Sequence, residues 1–312
     1  MAFGIRRLLL GCVSLTLVAS VADAQTEQLD DEGLPSAPQP YTGNARPGLV
    51  STPPTAYAGT LSDTDAANLR AAVMGQRSAS TVRAAMMGIS DPLARKIALW
   101  ALADVGAESM SFFELDQARR DLNGWPRSSR RDLPAEKALS TSGLTPAQTI
   151  AWFGGSEPQT AEGAMALAGA YQASGRSQDA TNLIRNFWRG KTFEADAQRA
   201  MQARFGAMLT ADDYAQRADM LLYGPQGPAA RDMVAMLPAD QQAAALARIA
   251  LRSNASNAND LVAALTPAQQ VSPGVAFERA AYMRRKGMDV MALDLVRYFP
   301  ASPPSNDTAG PI

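Results

Sequence analysis

The chain holds 312 residues, with 29 lysines and arginines against 30 aspartates and glutamates, so it lacks the basic field that attracts nucleic acid. It has no histidine and one cysteine, Cys12. That excludes Ser-His-Asp and Cys-His catalysis, imidazole-ligated metals, thiolate zinc sites and iron–sulfur clusters, and no cofactor is expected.

The amino terminus reads as an export signal. Arg6 and Arg7 precede an uncharged apolar run from Leu8 to Val21, and Ala22-Asp23-Ala24 supplies small residues for a signal peptidase. Cleavage is expected between Ala24 and Gln25, making residues 1–24 a signal peptide and the mature protein periplasmic. The run would span only about 21 Å of a roughly 30 Å hydrocarbon core, so a membrane-spanning helix is not expected. Leu9-Leu10-Gly11-Cys12 resembles a lipobox, but a cut there leaves almost no apolar segment for export. The mature chain would carry no cysteine, and its stability must come from packing.

Residues 25–60 contain Pro35, Pro38, Pro40, Pro47, Pro53 and Pro54 among few large apolar residues, the composition of a disordered linker. A tail over 300–312 repeats it, with Pro300, Pro303, Pro304 and Pro311.

Between them, residues 61–299 read as helices joined in hairpins. Abundant alanine, leucine and methionine, with few aromatics, favour helix over strand. Ala164, Leu167, Ala168 and Tyr171 fall on one helix face; Gly175 breaks the run, and Ala180, Leu183, Ile184 and Phe187 resume the spacing. The second half returns 112 residues later as Gly287, Ala292, Leu295, Val296 and Phe299. Two identical tetrads, Thr145-Pro146-Ala147-Gln148 and Thr266-Pro267-Ala268-Gln269, are helix starts with a capping threonine, and Ser111-Phe112-Phe113-Glu114 is another capping box. About a dozen to fifteen helices are expected. A lone hairpin leaves half its apolar face bare, so the units must stack. The expectation is an all-α superhelix, an α-solenoid of tetratricopeptide character.

Motifs of chemistry are scarce. No phosphate-binding loop, dinucleotide fingerprint or nucleophile elbow occurs. The acidic residues, such as Glu114, Asp212 and Asp213, sit where caps and solvated faces are expected. One stretch is locally basic: Arg119, Arg120, Arg127, Arg130, Arg131 and Lys137, with Trp125 among them. Trp125, Arg127, Arg130 and Arg131 are the candidate glycan contacts, since guanidinium groups and an indole suit sugars and acidic stem peptides. The competing reading is a packed Trp125-Pro126 corner with arginines paired to Asp116, Asp121, Asp132 and Glu136. Trp100, Trp152 and Trp188 lie in helical patterns and read as packing residues.

Several segments, taken in order, suggest a family. Asp91-Pro92-Leu93-Ala94-Arg95-Lys96-Ile97-Ala98-Leu99-Trp100 is followed by Ser111-Phe112-Phe113-Glu114-Leu115 and Asn123-Gly124-Trp125-Pro126-Arg127. Ala151-Trp152-Phe153, Gly175-Arg176, Arg204 to Thr210 and Phe277-Glu278-Arg279-Ala280 continue the series. Over about residues 61–300 this resembles the amino-terminal superhelical region of soluble lytic murein transglycosylases. The resemblance implies an α-helical horseshoe and, in the family, non-hydrolytic cleavage of the MurNAc–GlcNAc bond in peptidoglycan to 1,6-anhydromuramyl products. The family's acid–base glutamate lies in an E-S dipeptide followed by a G-L-M-Q segment, in a separate lysozyme-like domain. Here Glu108-Ser109 is followed by Met110-Ser111-Phe112-Phe113, so no catalytic residue is assigned, and the chain to Ile312 is expected to be inactive alone. The alternative is a stand-alone periplasmic α-solenoid that binds glycan or a partner protein, and a third is a non-functional fragment.

Overall fold

Side-chain caps set where the helices begin. Thr145 Oγ1 accepts from the Gln148 N–H at 3.3 Å while Gln148 Oε1 accepts from the Thr145 N–H at 2.9 Å. Thr266 and Gln269 repeat this box at 3.0 and 3.3 Å, and Ser111 forms one with Glu114. The identical tetrads nevertheless yield different helices, Pro146–Phe153 and Pro267–Gln270. The second stops because Ser272 precedes Pro273, and a residue before proline is pushed to the extended backbone that Ser272 adopts.

The computed structural model describes residues 60–75 and 78–301, all within one compact unit, Asn44–Ile312. The expected signal peptide with its Ala24–Gln25 cleavage site, the linker up to residue 59 and the tail from 302 lie outside the described residues. Among the described residues every regular element is helical, in sixteen α-helices and four 3-10 turns. Helices α1 (Asp63–Met74), α2 (Ala79–Met87) and α3 (Pro92–Gly106) pack on one another. Then α4 (Phe112–Asp121) pairs with α5 (Ser129–Lys137), and α6 (Pro146–Phe153) with α7 (Ala161–Ala173). Next, α7 pairs with α8 (Ser177–Gly190), and α9 (Ala195–Phe205) meets α11 (Pro228–Val234). Between α8 and α12 (Ala239–Arg252) lies α10 (Ala211–Tyr223). The short α13 (Ala258–Ala263) and α14 (Pro267–Gln270) lead to α15 (Pro273–Arg285), which packs against both α12 and α16 (Asp289–Leu295).

Two rows result. One runs α3, α5, α7, α9, α11; the other runs α8, α10, α12, α15. The expected all-α, solenoid-like stack of hairpins is what the chain forms. The helices slightly outnumber the expectation because α13 and α14 are only 6 and 4 residues long.

The apolar interior is divided accordingly. Val82, Ile89, Leu102, Leu115 and Leu122 centre one core, and Ile184, Trp188, Met201, Phe205 and Leu222 a larger one. Leu251, Val262 and Val275 centre a third. Alanines such as Ala98, Ala164, Ala180 and Ala247 are fully buried between helices, where a methyl group lets backbones approach closely.

The repeated turn is conserved in geometry between its two copies. Gly175 and Gly287 have φ of 75° and 74°, the left-handed region. The Arg176 N–H reaches back to Tyr171 O at 2.8 Å and Met288 N–H to Met283 O at 3.0 Å, each closing a Schellman turn. Gly175→Ala and Gly287→Ala are each expected to lower stability by about 1 kcal/mol in urea denaturation, through backbone strain. Gly190→Ala, at a helical position with open space around it, is the control expected to hold or raise stability. The copies diverge beyond the turn. Ile184 and Trp188 are fully buried by the neighbouring helices, whereas their counterparts Val296 and Pro300 are at least partly open. Val290 and Leu293 are 79% and 74% exposed where α8 carries Gln178 and Thr181.

Candidate functional site: the arginine–tryptophan corner

The locally basic stretch folds into the connection between α4 and α5. Leu122 is fully buried and caps α4, and the chain then turns through Gly124 at φ 80° and Arg127 at φ 57°. Trp100 on α3 holds the turn by donating from Nε1 to Pro126 O at 3.1 Å. Arg127 lies over the Trp100 ring, 5.7 Å from its centroid, and pairs with Asp104.

Arg131 points inward from α5. Its Nη1 donates to Pro126 O at 3.1 Å and its Nη2 to Leu122 O and Trp125 O, both at 3.2 Å. It is 2% exposed, and burial lowers its pKa against the opposing pull of Asp132 and Asp104. As a glycan contact Arg131 is therefore corrected: it satisfies three carbonyls of the turn and presents no free face. Arg127 and Arg130 remain exposed, and Trp125 is half-buried. The structure brings Trp125, Arg127 and Arg131 into one corner, largely as the packed Trp125-Pro126 turn that the competing reading describes.

The neighbouring charges pair locally. Arg119 donates to Asp132 at 2.8 Å and to Asp116 at 3.0 Å, with its guanidinium 4.2 Å from the centroid of Trp152. Trp152 Nε1 donates to the same Asp116 at 2.8 Å, and Arg120 pairs with it too. Asp121 instead accepts from Gln117, at 2.8 Å. Glu136 lies in the interior and accepts from the Gln159 and Thr160 N–H groups at 2.7 and 2.9 Å. Trp188 is fully buried, while Trp100 and Trp152 are half-buried at helix contacts.

Other carboxylates are equally committed. Glu108 is exposed in a 3-10 turn, Ala107–Ser109, whose Ser109 hydroxyl donates to Gly106 O. Glu114 and Asp213 complete capping boxes, as their positions suggested. For Asp213 burial alone would raise the pKa, but the Thr210 backbone and hydroxyl bonds and the Arg189 charge hold it below the ordinary value. Glu114 is lowered by the Ser111 N–H and by Arg83.

Sequence reasoning missed the buried polar side chains that join hairpins: Gln198, Arg217, Gln226, Arg248 and Glu278. Each is at most 6% exposed. Their only sequence signal is a charged or amide residue interrupting an apolar face, which one sequence cannot separate from a solvated edge. No helix among the described residues is long and apolar enough to cross a membrane. Compared with family models, with curated proteins and with solved structures, this chain finds no match.

Proposed function

We propose that this chain is an exported helical scaffold of the lytic transglycosylase type that engages peptidoglycan by binding and cleaves nothing by itself. The observation that carries this reading is the condition of the buried acids. Asp65, Glu136, Asp213 and Glu278 are the buried acidic residues among the described residues, and the side chain of Asp104, 6% exposed, pairs with Arg127. Each is held by hydrogen bonds from N–H donors of the fold and is committed to packing. A transglycosylase acid must instead hold a proton at neutral pH for the departing sugar oxygen, and Glu114 and Asp213 are shifted the opposite way. Binding then falls to exposed groups, among which Arg127, Arg130 and the open edge of Trp125 suit sugar and stem-peptide carboxylates.

A periplasmic protein partner is the second reading, favoured by the exposed apolar residues Val290, Leu293 and Val296 of the last hairpin. The test uses the mature chain and purified sacculi, with sedimentation for binding and mass spectrometry for released muropeptides. Co-sedimentation without anhydromuropeptides is expected. Release above a mock-purified control overturns the non-catalytic reading, and failure to sediment overturns the cell-wall one.

A further inference from the structure

A cleft of about 230 Å³ opens between α10, α12 and α15, lined by Asp219, Gln241, Arg248, Ser272, Gly274 and Val275 among others. Its polar groups are unusual in what they lack. Arg248 is 5% exposed, with its guanidinium 4.6 Å from the centroid of Tyr223. Nη1 pairs with Asp219, but Nε and Nη2 are buried and make no hydrogen bond among the described residues. Those two atoms form the side-on edge of the guanidinium, two parallel N–H donors at the spacing of a carboxylate's oxygens.

The amino terminus of α15 supplies a second set of donors. Pro273 has no N–H, and the Ser272 side chain makes no cap bond because its hydroxyl donates to Gln269 O at 2.7 Å. The Gly274 and Val275 amides at the second and third helical positions thus lack both a helical acceptor and a cap, and both residues are buried. Gly274 is seated directly on the arginine: a Cβ there would lie 2.4 Å from Arg248 Cζ. Arg248 and the start of α15 therefore line one cleft, and each carries buried, unpaired donors whose desolvation cost an anion would offset.

We infer that this cleft is a binding site for a single carboxylate group, held by the Nε/Nη2 edge of Arg248 and the first free amides of α15. A monoanion fits better than a phosphate dianion, because Asp219 already neutralises one positive charge. Since the guanidinium edge is screened from solvent, occupation turns Arg248 toward the cleft. The inference rests on α10, α12 and α15 alone and stands apart from the cell-wall reading. Two sources share this chemistry, a small free carboxylate and the carboxyl terminus of a peptide.

The test is a titration of the isotope-labelled mature chain with sodium acetate, inorganic phosphate, N-acetyl-Ala-Ala and its carboxyl-terminal amide. Acetate or the free dipeptide is expected to shift the Gly274 and Val275 amide and Arg248 Nε resonances saturably, with phosphate weaker and the amide silent. Tighter binding of the dipeptide identifies a peptide terminus; equal or tighter binding of acetate identifies a small acid. Arg248→Lys keeps the charge but loses the two-pronged edge, and should weaken binding by about tenfold or more. The wild-type titration does not depend on that variant folding. Shifts produced equally by sodium chloride or by the amide, or no shift at these three groups, overturn the proposal.

Discussion

Replacing Glu278 by alanine is expected to lower stability by about 3–5 kcal/mol, the cost of leaving a paired charge alone inside a protein. Glu278 on α15 is fully buried. It accepts from Arg252 Nε at 2.9 Å, again from Arg252 Nη2, and from Gln226 Nε2 at 3.1 Å. Arg252 also donates to Gly224 O at 3.0 Å and Tyr223 O at 3.3 Å, so one cluster ties the end of α10 to α12 and α15. Without the carboxylate, Arg252 keeps its carbonyls but loses its counter-charge, and Gln226 loses an acceptor. Glu278→Gln should cost less, since the amide oxygen still accepts from Arg252. The double variant Glu278→Leu, Arg252→Met should cost less than the two single changes added together, because no charge is stranded. Urea denaturation of the native protein and these five variants, the single changes Glu278→Leu and Arg252→Met included, measures all of this. A loss below about 1 kcal/mol for Glu278→Ala would mean that the pair behaves as a solvated surface bridge.

Arg217→Ala is expected to have a comparable effect by a different route. Arg217 on α10 is fully buried, 3.9 Å from the centroid of Phe193 and 4.6 Å from that of Trp188. It donates to Gln198 Oε1 at 2.6 Å, Trp188 O at 2.7 Å and Lys191 O at 3.1 Å. Burial pushes its pKa down to about 9, which still leaves it cationic at neutral pH. The stacked rings and carbonyl dipoles stabilise the charge. Alanine removes a large packed side chain and strips the donor from both carbonyls, for a loss of about 3–5 kcal/mol. Methionine restores much of the volume but none of the hydrogen bonds, so Arg217→Met should recover only part. Urea titration followed by tryptophan emission reads both variants. Equal stability of the methionine and native proteins would show that the bonds contribute little.

What could be read in the sequence was what depends on near neighbours along the chain. The boxes at Ser111, Thr145 and Thr266 and the turns at Gly175 and Gly287 are closed by residues within five positions, so their chemistry is written locally. The helical periodicity of Ala180, Ile184 and Phe187 was legible for the same reason, and with it the fold class. The corner at Trp125 was half legible. The corner followed from Trp125-Pro126, but the inward course of Arg131 depends on the folded turn gathering the carbonyls of Leu122, Trp125 and Pro126 around one guanidinium. Glu278 and Arg217 were not legible at all. Their partners lie 19 to 52 residues away, and a charged side chain on a helix face looks the same in sequence whether it meets water or a neighbouring hairpin. The cleft beside Arg248 belongs to this second group, since its unpaired edge exists only once α10, α12 and α15 have met.

The two rows of helices also bear on how the chain is made. Each helix finds its main partners among elements close by in the sequence, so α1 to α3 can close around Val82 and Leu102 before α12 has left the ribosome. Low separation between contacting residues favours rapid local folding and spares the chain a long search. The later joints, such as Gln226 to Glu278 across 52 residues, then lock hairpins that are already formed. Packing of this kind lets each new hairpin complete the surface left by the one before it.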